Sequence, residues 1–262
     1  MVENRTGAGG TIATELVARA DADGTTLLMT PLANAVNETL FAKTLHARFG
    51  ADLAAVGLVA QTGNVLVVHP SMPVKSVADL IALAKSRPPG DLLVASSGRG
   101  TATHLTTELF NLMAGVKLGS VHYRGGGDVT KDLLSGQVKL MFATISPVLQ
   151  YVKDGSLRGI ATTGPKRDLI LPELPTVAES GLPGFDVRLW LGLLAPSGTP
   201  RPAIDRLANA TAKALELPDE KAAFAAQGFD PLTGTPDEFA AFYRSEVEKW
   251  RKVVEAAGLT NE

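Results

Sequence analysis

The 262-residue sequence contains no cysteine. Disulfide bonds, thiolate metal sites and cysteine nucleophiles are therefore excluded. Only four histidines are present and they are scattered along the chain, so we predict no metal site.

An excess of either charge is also lacking. The chain has 25 Lys and Arg against 27 Asp and Glu, a formal net charge of -2. So small a charge creates no field that would attract nucleic acid or anionic lipid. No apolar run approaches the roughly 20 residues of a membrane helix, and the first residues lack the pattern of an export signal. We therefore expect no nucleic-acid partner and no direct membrane insertion. These observations do not indicate the cellular compartment.

What is present is an alternation of short apolar runs with helical patterns, in a chain that is 45% hydrophobic. This alternation is typical of an α/β fold in which helices flank a mostly parallel sheet. The predicted strands are Thr25–Thr30, Asp52–Ala60, Val65–His69, Leu92–Ser96, Ser120–Tyr123, Val138–Ala143, Leu157–Thr162 and Val187–Leu194. The predicted helices are Ile12–Ala20, Val77–Ser86, Thr101–Met113, Val129–Leu134, Pro147–Asp154, Pro202–Leu215, Glu220–Ala226 and Pro236–Ala257, with Ser76 and Thr235 as caps.

Two lobes are predicted from two apolar strands that run into Ser, Gly and Pro, Leu93–Ser97 and Leu193–Ser197. Residues 1–94 and 196–262 would form the first lobe and residues 95–195 the second, joined by these crossover strands. The block between them has the size of a small domain. The apolar stripe of the last helix should pack against the sheet of the first lobe.

A glycine-containing segment after the strand Leu92–Ser96 is the main candidate site. Glycines let backbone amides approach a ligand, and the first amides of the following helix can bind an anion. We predict contacts from Ser97, Gly98, Gly100 and Thr101; the alternative is a plain turn with Thr101 as the helix cap. The glycine spacing is not GxGxxG, so no dinucleotide or other cofactor is predicted.

A second segment, Tyr123–Val129, repeats this order of strand, glycines and helix. The amides of Gly126 and Gly127 should face the same cleft, and Asp128 is predicted to cap the helix while staying a candidate contact. Arg124 either balances the ligand charge or is solvated. His104, one turn into the preceding helix, is a candidate contact whose alternative is a packed structural histidine.

Six segments, in order, resemble the solute-receptor family of tripartite tricarboxylate transporters, also called the Bug family. They are Val2–Gly10, Val68–Pro70, Leu80–Lys85, Ser96–Phe110, Pro175–Gly181 and Gly192–Pro200. The resemblance implies a monomeric, two-lobed periplasmic receptor that closes over a small carboxylate. It also implies delivery to a membrane permease without catalysis, so no enzyme activity is expected.

The resemblance adds candidate contacts in the first lobe and at the end of one strand. Thr30, Leu32, Ala33 and Asn34 correspond to a ligand loop, with Asn34 either a polar contact or a cap of the next residues. Thr144 follows Ala143, where relatives that bind amino acids carry an acid. The ligand expected from this difference is a dicarboxylate, a tricarboxylate or an aromatic acid.

One departure from the family concerns the start, because Met1 directly precedes the Val2–Arg5 element. The family's first strand, ligand loop and helix would precede it, so we expect an incomplete first lobe with exposed strand edges that permit self-association. A truncated, non-binding member is therefore one alternative. The others are an α/β hydrolase, although GxSxG is lacking, and an enzyme or sensor that binds a phosphate-bearing cofactor.

Overall fold

A computed structural model describes residues 1–5, 10–123 and 126–259 of the chain. The helices are α1 (Thr11–Ala18), α2 (Leu32–Leu40), α3 (Val77–Lys85), α4 (Ala102–Ala114), α5 (Gly126–Ser135), α6 (Ile145–Lys153), α7 (Arg201–Glu216), α8 (Pro218–Ala226) and α9 (Pro236–Ala256). The strands are β1 (Leu28–Pro31), β2 (Leu53–Val68), β3 (Leu93–Ser96), β4 (Gly119–His122), β5 (Leu140–Thr144), β6 (Arg158–Thr162), β7 (Arg188–Pro196) and β8 (Asp230–Pro231).

The chain divides into two compact units, residues 1–61 with 190–262 and residues 62–189. The first predicted boundary, 94/95, is wrong, because β3 lies wholly inside the second unit and β2 carries the crossover. The second crossover does use the predicted strand, β7, but near its beginning and not at 195/196.

The crossover was missed because two separate strands, Asp52–Ala60 and Val65–His69, were predicted where the structure has the single strand β2, with polar residues in its middle. The strand continues through Asn64, whose N–H groups find partners although its Oδ1 has none among the described residues. Asn64 pairs with Thr144 of β5, its backbone N–H donates to Thr163 Oγ1 at 2.9 Å, and its side-chain Nδ2 donates to Thr106 Oγ1 at 3.0 Å. Buried polar groups are tolerated when they are hydrogen-bonded in this way.

The first unit contains a sheet in which β1 pairs with β7 and β2 pairs with β8. Both pairings are antiparallel, so the mostly parallel sheet predicted for this lobe is wrong there. The short strands β1 and β8 simply pair with crossover strands that run in the opposite direction. Helix α7 covers β2 and β7 through a small core of Val56, Ala195 and Ile204.

Helix α2 was not predicted, and it supplies the surface on which α9 packs. Its Leu32, Ala35 and Val36 are buried, but the helix begins after Pro31 without a side-chain cap and contains two asparagines, which disfavour helix. Because α9 packs against α2 as well as β7, the prediction that its stripe packs on a sheet is only partly right. Most of the predicted stripe is buried, namely Phe239, Trp250, Val253 and Val254, whereas Phe242 and Val247 are half-buried.

The second unit has a mixed sheet with helices on its faces. Strand β3 is parallel to β4 and β5, while β2 is antiparallel to β5 and β6. Val65 and Val67 of β2 join a buried cluster with Val129 of α5 and Val148 of α6. The prediction of a mostly parallel sheet therefore holds in the second unit for β3, β4 and β5, but not for β2 and β6.

Both predicted helix caps are confirmed by their hydrogen bonds. Ser76 accepts the N–H of Asp79 at the start of α3. Thr235 and Glu238 form a reciprocal capping box at the start of α9. Such pairs satisfy amides that the helix itself leaves without partners.

A buried carboxylate ties α9 to the crossover strand β7. Glu246 is 5% exposed, and its Oε2 accepts the indole N–H groups of Trp190 at 3.0 Å and Trp250 at 3.1 Å. Lys249 pairs with the other oxygen. Trp190 is itself 1% exposed and packs edge-on against Phe239.

We predict that Glu246→Leu lowers the free energy of unfolding by about 3 kcal/mol, because two buried indole donors and one cation lose their acceptor. Urea unfolding measures the change. Glu255→Leu on the same helix is the matched control, since its partner Arg251 is at an exposed position and such pairs contribute about 1 kcal/mol or less. Equal losses in the two variants would show that the Glu246 network does not stabilise the unit.

Candidate functional site

Three junctions between a strand and a helix lie at one edge of the sheet in the second unit. Strands β4, β3 and β5 are neighbours, and β3 runs parallel to both of the others, so their carboxyl ends share that edge. Helices α4, α5 and α6 begin there, after β3, β4 and β5 respectively. This edge is where α/β sheets bind ligands, and helix amino ends carry partial positive charge.

The sequence-predicted residues of the second lobe are brought together at this edge. Ser97–Thr101 connects β3 to α4, Gly126–Asp128 opens α5, and Thr144 ends β5 and precedes α6. The two glycine segments are adjacent because Ser96 is in register with His122, and the N–H of Tyr123 donates to the carbonyl of Ser96 at 2.9 Å.

Hydroxyl groups of the first loop bond to the loop itself and to Thr103 in the first turn of α4. Thr101 Oγ1 donates to the carbonyl oxygen of Gly98 at 2.7 Å and lies 3.0 Å from Thr103 Oγ1. The N–H of Ser97 donates to Thr103 Oγ1 at 3.0 Å. Thr101 occupies the cap position of α4, yet its side chain accepts no helix amide. The predicted cap is therefore right in position, but its hydroxyl donates to the Gly98 carbonyl and accepts no helix amide.

The predicted Gly100 amide contact needs a correction. Gly100 N–H donates to Nδ1 of His104 at 3.0 Å. An N–H has a single hydrogen, so while it makes this bond it is not available to donate to a ligand. Gly100 has φ of +76° and Gly98 has φ of +143°, backbone conformations that favour glycine. The glycines thus shape the loop, and the amides of the first turn of α4 are those that have no acceptor within their own helix.

Two imidazole rings meet behind this loop. His104 is 2% exposed, its Nε2 lies 3.4 Å from Glu108 Oε1, and its ring contacts His122 edge-on with 4.5 Å between centroids. His122 Nδ1 lies 2.7 Å from Ser96 Oγ. Partial burial, followed by the nearby His104 and Arg99, lowers the pKa of His122 below its usual value. His104 therefore has the contacts of the packed, hydrogen-bonded histidine that was the alternative interpretation.

The second glycine segment differs from its prediction at Asp128. Helix α5 begins at Gly126, so Asp128 lies inside the first turn and does not precede the helix as a cap. Glycines were interpreted as loop because of their low helix propensity, although an acidic residue in a first turn is favoured by the helix dipole. Arg124 lies outside the described residues, as do residues 6–9 of the first resemblance segment.

Tyr123, just before this segment, donates its hydroxyl to Asp132 of α5 at 2.8 Å. Desolvation and this hydrogen bond raise the pKa of Tyr123 to about 12. The tyrosine is therefore a neutral donor that links the end of β4 to α5.

The candidates of the first unit fall at the junction of β1 and α2, which was predicted to be a loop. Thr30, Leu32 and Asn34 are buried and Ala33 is half-buried. Asn34 lies inside α2, so it does not cap it, and its Nδ2 donates to Thr14 Oγ1 of α1 at 2.9 Å. Its Oδ1 is buried without a hydrogen-bond partner among the described residues.

Two residues at the edge in the second unit were missed by the sequence interpretation. Arg99 is exposed in the first glycine loop, and it lies close enough to lower the pKa of His122. Asn64 is fully buried opposite Thr144, with Oδ1 lacking a partner among the described residues. A polar residue inside an apolar strand is the signal that would have identified Asn64, whereas Arg99 carried none beyond its place in the loop.

Within the described parts of the chain, no group of three or more His, Asp or Glu side chains is arranged to hold a metal ion. Over the same residues, no helix has both the length and the apolar character needed to cross a membrane.

We predict that Gly100→Ala lowers the free energy of unfolding by about 1–2 kcal/mol, since a left-handed backbone is strained for an L residue with a side chain. Gly234→Ala is the control, because its φ lies outside that region and a Cβ there makes only ordinary contacts with Glu238. Thermal and urea unfolding give both values. A Gly100→Ala variant as stable as the control would contradict the loop conformation.

Comparison with known proteins agrees with this architecture. Residues 1–259 match the family described as the tripartite tricarboxylate transporter family receptor. Protein BugT of Bordetella pertussis is 36% identical over 262 residues, which cover 98% of this chain and 79% of BugT.

Two solved structures are similar over most of their length. R. palustris Rpa4515 with adipate is 34% identical, with a TM-score of 0.81, over 98% of this chain and 86% of that one. MatC from Rhodopseudomonas palustris with bound malate is 30% identical, with a TM-score of 0.76, over 95% of this chain and 85% of that one. The α/β receptor fold predicted from the sequence is confirmed by these structures. The prediction of a binding receptor, and not an enzyme, is confirmed because the matched family is one of receptors. The chain belongs to the tripartite tricarboxylate transporter receptor family, whose members are solute-binding receptors.

Proposed function

We propose that this protein is a periplasmic receptor that captures a small carboxylate and delivers it, chemically unchanged, to a tripartite tricarboxylate-type permease. The observation that carries the proposal is the common start of α4, α5 and α6 at one edge of the sheet in the second unit. The two similar structures with adipate and malate, both dicarboxylic acids, support this ligand class.

The physical argument is that each helix start supplies amides without intrahelical acceptors and the positive end of a dipole. A carboxylate can accept several such hydrogen bonds at once, and a bond to a charged acceptor contributes about 1.5–3 kcal/mol. Thr144 at the start of α6 and the exposed Arg99 add a hydroxyl and a positive charge at the same edge. Binding therefore needs no metal and no cofactor.

Carboxylate binding is tested by isothermal titration with adipate and malate, with 1,6-hexanediol as the uncharged counterpart of adipate. We expect at least one acid to bind and hexanediol to fail, because amide donors and helix dipoles favour the anion. The ligand recovered after titration should be unchanged by NMR. Turnover of the acid, or equal binding of the diol, would reject a carboxylate receptor.

We predict that Arg99→Gln weakens carboxylate binding by about fivefold, equivalent to about 1 kcal/mol for the loss of one charge at a solvated edge. Arg206→Gln is the matched control, because Arg206 is an exposed arginine on α7 of the other unit. Titration at low and high salt should show a smaller salt dependence for the Arg99 variant only. Equal effects of the two substitutions would place the ligand away from the first glycine loop.

Delivery to a permease is a separate part of the proposal. Cells from which the receptor gene has been deleted should take up less labelled ligand, and the restored gene should return uptake to its former rate. Undiminished uptake after deletion would reject the transport role while leaving carboxylate binding intact.

A further inference from the structure

The hydrogen bond from Gly100 to His104 is the only contact in the first glycine loop, among those of the described residues, that joins a loop amide to a ring nitrogen. It uses one of the amides that were predicted from the sequence to contact a ligand. His104 is 2% exposed and lies in the first turn of α4, so its ring is behind the loop and a ligand cannot reach it without rearrangement.

The partners of His104 assign its tautomer. The N–H of Gly100 donates to Nδ1, which needs a lone pair there and so places the ring proton on Nε2, 3.4 Å from Glu108 Oε1. Glu108, one helical turn further along α4, places a carboxylate oxygen beside the protonated nitrogen.

A second imidazole ring, that of His122, contacts the end of β3, the strand that leads into the loop. His122 of β4 contacts His104 edge-on and lies 2.7 Å from Ser96 Oγ, at the last residue of β3. The loop is thereby bonded at both sides, through Ser96 to His122 and through Gly100 to His104. Other hydrogen bonds tie Ser97, Gly98 and Thr101 to each other and to Thr103, whereas the backbone N–H of Gly100 is held by His104. Such restraints matter here because glycine loses more backbone freedom on ordering than other residues do.

We propose that His104 is a positioning residue for carboxylate binding, which acts through Gly100 and never touches the ligand. The inference rests on the proposed function. By holding Gly100, His104 keeps the loop before α4 in the one conformation that leaves the first-turn amides open to an anion. Affinity then depends on an acceptor at the position of Nδ1 and not on an imidazole as such.

The test compares two substitutions at this position. His104→Asn places an amide oxygen the same number of bonds from Cα as Nδ1, so it can still accept from Gly100. His104→Leu keeps apolar bulk and removes the acceptor. His69→Leu is the matched control, because His69 Nδ1 also accepts a backbone N–H, that of Ser71, in a turn before α3.

The first readout is hydrogen exchange of the Gly100 amide, which needs no ligand. We expect slow exchange in the wild type and in His104→Asn, and exchange about tenfold faster in His104→Leu, since the open loop leaves the amide to water. Urea unfolding confirms that each variant is folded at the temperature used. Unchanged Gly100 exchange in a folded His104→Leu protein overturns the inference.

The second readout is titration with adipate and malate. Binding should weaken about five- to tenfold in His104→Leu, stay within about threefold of the wild type in His104→Asn, and be unaffected in His69→Leu. Faster Gly100 exchange with unchanged affinity would overturn the link to binding. Failure of the wild type to bind either acid would reject the proposed function together with that link, while the exchange data would still decide the role of His104 in the loop.

Discussion

Parallel pairing of β3 with β4 and β5 is the constraint from which the candidate site follows. Parallel neighbours end at the same edge of a sheet, so the helices that follow them also start there. Each helix start leaves backbone amides that its own turns cannot satisfy. Ser97–Thr101, Gly126–Asp128 and Thr144 therefore share one edge although they lie far apart along the chain, and an anion is the chemical species that suits such an edge.

Internal hydrogen bonds determine what this edge offers to a ligand. The hydroxyl of Thr101 and the amide of Gly100 bond to Gly98 and His104, so the loop satisfies its own polar groups before any ligand arrives. Such bonds limit the number of loop conformations, and preorganisation of this kind lowers the entropic cost of binding. The loop thus combines glycine, which permits its conformation, with polar side chains that restrict it.

Secondary structure was predicted correctly wherever a segment contains its own local pattern, such as a helix cap or an apolar stripe. Capping residues at Ser76 and Thr235, the apolar stripe of α9 and the strand-to-helix order around Ser97 were recognisable because each depends on residues a few positions apart. Helix α2 was missed because its asparagines and uncapped start oppose helix locally, and burial of Leu32 and Val36 outweighs that preference. The sheet in the first unit was expected to be mostly parallel because strand direction depends on partners that the local pattern does not specify.

The sequence by itself determined the family, the α/β class and the segments that surround the candidate site, since motifs and periodicity are properties of neighbouring residues. Only the tertiary structure decided that β2 runs unbroken from one unit into the other, because Asn64 needs Thr106 and Thr163, which are distant in the chain. It also decided which atoms of the glycine loop are used internally. Hydrogen bonds such as Gly100 to His104 depend on a backbone angle and a ring orientation, and neither is specified by residue type alone.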